Sequence, residues 1–78
     1  MSHFLFVRDE DDVLGVWEAS DEVAALKLRL SLELTYPRCR THVMAAPDFQ
    51  SVKASVPEVD FEGIEPQPVS GRGASRLP

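Results

Sequence analysis

Apolar and polar residues alternate strictly from Leu26 to Leu34, which reads Leu-Lys-Leu-Arg-Leu-Ser-Leu-Glu-Leu. Period two is the signature of a half-buried strand, yet Leu, Lys, Arg, Glu and the preceding Ala24 and Ala25 all favour helix. Wound as a helix, the five leucines divide between two faces. Val23, Leu26, Leu30 and Leu34 form one stripe at three- and four-residue spacing; Leu28 and Leu32 form a second on the far side. One stripe suffices to cover a sheet, so Leu28 and Leu32 are the residues expected to meet a partner. The same alternation read as a strand makes a mostly β protein, and that alternative stays open at this level.

Around this segment the pattern predicts three strands. His3 to Arg8 places Phe4 and Phe6 on one face and Leu5 and Val7 on the other. Asp9 to Asp12 has hairpin-turn length, and Val13 to Ala19 forms the second strand, with Leu14 and Val16 opposite Val13 and Trp17. Ser20 or Asp21 caps a helix that ends near Thr35, because Pro37 disfavours helical geometry at Tyr36. A third strand follows from about Arg40 to Ala46. The expected fold class is α+β, a ββαβ unit: a small antiparallel sheet with one helix on one face and an extended, partly disordered C-terminal tail. Residues 1–46 form the core domain, 47–65 an extended arm and 66–78 a disordered tail rich in Pro, Gly and Ser.

All three strands are apolar on both faces, and a single helix covers only one. The second face therefore needs the arm, a second subunit or a partner. At 78 residues the chain is one small domain, for which buried area is scarce and such cover matters. Leu14-Gly-Val-Trp-Glu-Ala-Ser-Asp-Glu-Val-Ala-Ala, after an apolar strand and an acidic turn, resembles many small uncharacterised bacterial and phage proteins. That resemblance spans about residues 3–46. It implies ββαβ architecture and a protein-binding or accessory role, and carries over no catalytic residue.

Charge sharpens the picture. The net charge is −5, and residues 1–22 hold seven acids against Arg8 alone. Overall acidity argues against direct nucleic-acid binding, which depends on neutralising phosphates. Asp9, Asp11 and Asp12, with Glu10, Glu18, Asp21 and Glu22, instead suggest a second class of function. In that reading the chain is an acidic, phage-type inhibitor of a host defence complex, anti-CRISPR-like, whose carboxylates imitate phosphates and meet a basic partner surface.

Chemistry is poorly represented. Cys39 is the only cysteine, which excludes a disulfide within the chain and fits a reducing, cytoplasmic setting. No secretory leader and no apolar run of spanning length is read, so membrane association is not expected. The acidic turn lacks calcium-loop spacing, since its fifth and sixth positions are Val13 and Leu14. Cys39 and His42, with His3 elsewhere, supply too few ligands for zinc. They also lack the orienting group and oxyanion loop of a nucleophilic site. Trp17 is expected as a core anchor, and Ser70 to Arg76 only faintly matches Arg-Gly segments that contact RNA. No catalytic residue, metal or cofactor is expected. The leading expectation is a small non-enzymatic interaction module, a homodimer that binds a protein partner.

Overall fold

The computed structural model describes residues 2–69. It begins with an antiparallel hairpin, β1 (Ser2–Asp9) and β2 (Asp12–Ala19). Asp9 pairs with Asp12, leaving Glu10 and Asp11 as the two central turn residues. Glu10 takes φ 58°, the left-handed value that such a tight turn demands and glycine adopts most easily.

The hairpin departs from simple alternation at one point. Val7 pairs with Gly15 but Arg8 pairs with Val13, so Leu14 is an extra, bulged residue. The bulge turns Val13 onto the face of Val16 and leaves Leu14 about half exposed. The expected pairing of Leu14 with Val16 is corrected accordingly.

Helix α1 (Glu22–Thr35) follows a two-residue link. Asp21 is its N-cap: its Oδ1 accepts from the Ala24 N–H at 2.7 Å. The segment is thus helix and not strand. Strand β3 (Arg40–Ala46) then pairs antiparallel with the free side of β1, from Ser2↔Ala46 to Arg8↔Arg40.

The C-terminal third differs from the expected arm and tail. Residues 49–55 form a short helix, α2 (Phe49–Ser55), capped by Asp48, whose carboxylate accepts from Ser51 N–H at 2.8 Å. Gln67–Val69 form β4, which runs parallel to β2, so the sheet is mixed, in the order β3-β1-β2-β4. Pro68 is tolerated because β4 is an edge strand. The remainder of the expected disordered tail lies outside the described residues.

Two apolar layers flank the sheet. On one side Leu5, Val7 and Ala19 pack against Ala24, Ala25 and Leu32 of α1. On the other, Phe4, Phe6, Val16 and Ala46 pack against Val52, Val59 and Phe61. Phe61 meets Phe6 edge-on at 5.3 Å and Phe49 at 5.5 Å, geometries favoured by aromatic quadrupoles. The second face is therefore closed by the chain itself, through residues 49–64. Expected as an extended arm, this stretch folds because Asp48 can cap a helix and Phe49, Val52, Val59 and Phe61 supply a second apolar layer.

Candidate functional site

With both sheet faces covered, the largest unburied apolar surface among the described residues lies on α1. The alanines determine which leucines are exposed. Ala24 and Ala25 are buried against the sheet, and Leu28 and Leu32 continue their stripe at helical spacing. Leu32 is only 6% exposed and Leu28 packs beside it. Val23, Leu26, Leu30 and Leu34 point away, with Leu30 61% and Leu34 84% exposed. This differs from the expectation for Leu28 and Leu32: Leu32 is a core residue and Leu28 is half-buried beside it, on the side of α1 that faces the sheet. Two small residues let the helix axis lie close to the sheet, and the short link from buried Ala19 fixes the phase of the first turn.

The outward stripe continues toward the sheet edge. Glu22, Ala25, Leu26 and Arg29 line a groove of about 190 Å³ with His3 and the part-exposed Val43 of β3. Charge along α1 is balanced: Glu22 and Glu33 against Lys27 and Arg29. Arg29 also bonds Glu33 at 3.3 Å within the helix. A helix that is apolar on opposite sides has one side too many for a protein presenting only water to it.

The acidic turn forms the far tip of the hairpin, with Asp9, Glu10, Asp11 and Asp12 all exposed. It does not stand as a uniform negative surface. Arg8 lies 3.7 Å from Asp11 and 3.9 Å from Glu58, and its Nε donates to the Glu10 carbonyl at 2.8 Å. Arg38 and Arg40 share the open groove beside it with Arg8, Asp9, Glu10 and Asp11. Such exposed pairs add little stability, but they dilute the local negative field.

The remaining candidates fall apart in space. Cys39 packs with the α1-side layer, whereas His42 stacks on Phe6 at 4.8 Å on the opposite face. Burial, then the charges of Arg8 and Arg40, hold the His42 pKa below its ordinary value, with Glu58 opposing. Trp17 lies along β2 over Gly15, where a Cβ would come within 2.7 Å of the indole, and packs against the α1-side layer as an anchor. Among the described residues no three His, Cys, Asp or Glu side chains are grouped to hold a metal ion. No helix among them is long and apolar enough to cross a membrane. The Arg-Gly segment Ser70 to Arg76 lies outside the described residues.

Which face of α1 turns outward is not legible from the leucines, because both stripes are equally apolar. The signal is Ala24–Ala25, adjacent small residues in the first turn after the cap, in phase with Leu28 and Leu32. No protein-family model, curated protein or solved structure matches this chain.

Proposed function

We propose that the protein is a small non-enzymatic interaction module that binds a protein partner through the outer face of α1. The observation carrying this reading is the exposed stripe Val23, Leu26, Leu30 and Leu34 on a helix whose opposite side is already buried. Contiguous apolar surface rimmed by mixed charge is what protein interfaces use at their centres. The acidic-inhibitor reading has less support, since three arginines line the groove beside Asp9 and Asp11.

The test compares tagged chains as baits in an extract of the native cell. Proteins retained by the parent chain are expected to be lost with Leu26→Glu combined with Leu30→Glu. They should persist with Asp9→Asn, Asp11→Asn and Asp12→Asn combined. Retention that ignores the leucines and follows the aspartates would transfer the function to the hairpin tip.

A further inference from the structure

We infer that the occupant of this face is a second copy of the chain, paired helix to helix across the ridge Leu26, Leu30 and Leu34 with Leu30 at the two-fold axis. The inference rests on the reading of α1 as a contact surface and adds to it what is bound and where the contact is centred.

Three observations carry it. First, these leucines are spaced i, i+4, i+8, the ridge that packs into the matching grooves of a like helix in the commonest crossing class, at about 50°. A two-fold pair uses one patch twice, so a single ridge is sufficient. Second, the area matches a small interface. From the exposures of Val23, Leu26, Leu30 and Leu34, at most about 450 Å² of these four residues is free to be buried per copy. Two copies remove at most roughly 900 Å² through these residues, and the stems of Lys27, Arg29 and Glu33 bring the total to the order of 1,000 Å² that a small specific interface needs. Third, charge permits self-contact at this face. The chain carries −5, but the helix is neutral, with Glu22 and Glu33 matched by Lys27 and Arg29. Its mixed signs give a like-charged copy no net repulsion at the contact, whereas the hairpin tips carry the acids and would repel one another.

Light scattering after size exclusion, at two well-separated concentrations, reads the outcome directly. The parent chain is expected at twice its 8.7 kDa, and Leu30→Glu at the single mass with its circular dichroism unchanged. In a Cys39→Ser background, oxidation of Leu30→Cys should trap a disulfide-linked dimer, and Ser31→Cys should not. That arm decides the matter even where Leu30→Glu unfolds. Three results would overturn the inference. One is a single mass for the parent chain at both concentrations. Another is a dimer that survives Leu30→Glu but is lost with Val43→Lys, which would assign pairing to the β3 edge. The third is equal trapping at positions 30 and 31. A monomer whose bait retention still depends on Leu26 and Leu30 removes the second copy and leaves the contact surface standing. A monomer whose retention ignores them removes both.

Discussion

His42 illustrates how one side chain on an edge strand ties packing to pH. Its ring stacks on Phe6, and its Nε2 is enclosed without a hydrogen-bond partner among the described residues. Burial first, and the neighbouring guanidinium groups of Arg8 and Arg40 second, disfavour the charged imidazole, so its pKa falls below the ordinary 6.5. A histidine whose folded pKa is lowered binds protons more weakly folded than unfolded. Its contribution is complete above about pH 6.5 and is lost as pH falls below that value toward the folded pKa. Asp48 acts in a separate window. Its carboxylate is held low chiefly by the Ser51 N–H, so its contribution is present above the ordinary carboxylate value of 3.8 and lost only below it. Urea midpoints are therefore expected to drop between pH 7.5 and pH 5, and His42→Phe should flatten that drop. An unchanged slope in the variant would show that His42 does not couple folding to pH.

At the scale of elements, α1 shows what its sequence disclosed and what it withheld. Helix-forming residues, an aspartate cap and Pro37 specify where the helix lies, and the strands on either side were equally legible from their apolar pattern. Its rotation about its own axis was not, because two apolar stripes compete and neither is broken by a charge. The choice falls to Ala24 and Ala25, whose lack of bulk brings the helix close to Leu5, Val7 and Ala19. The bulge at Leu14 escaped for a related reason, since nothing in Val13-Leu14-Gly15 marks an added residue. The helix α2 escaped because seven residues are too few to show a period. Enlarging the small side of α1 tests this account. Ala25→Leu should overpack the helix against the sheet and cost about 1–3 kcal/mol in urea unfolding. Leu30→Ala should stay within about 0.5 kcal/mol at concentrations where the chain is monomeric. Equal costs would mean that both sides of the helix are packed.

The whole molecule is a sheet with apolar layers on both sides, and β1 is the strand they share. Leu5 and Val7 belong to the layer under α1, Phe4 and Phe6 to the layer under α2 and Phe61. The expected core domain ending at residue 46 contains only one complete layer, and Val52, Val59 and Phe61 close the other. A chain shortened to residues 1–46 is expected to lack cooperative unfolding in urea and to bind a hydrophobic dye. A sharp transition of the shortened chain would show that one layer suffices.

That arrangement also sets an order of events during synthesis. Phe4 and Phe6 are translated among the first residues, yet the aromatic ring that seals them, Phe61, is translated far later. At elongation rates of about 5 to 20 residues per second the interval is roughly 3 to 10 s. Once it has left the ribosome, the central strand keeps one apolar side open until Phe61 follows it out, so that side cannot close before synthesis of this sequence is near its end.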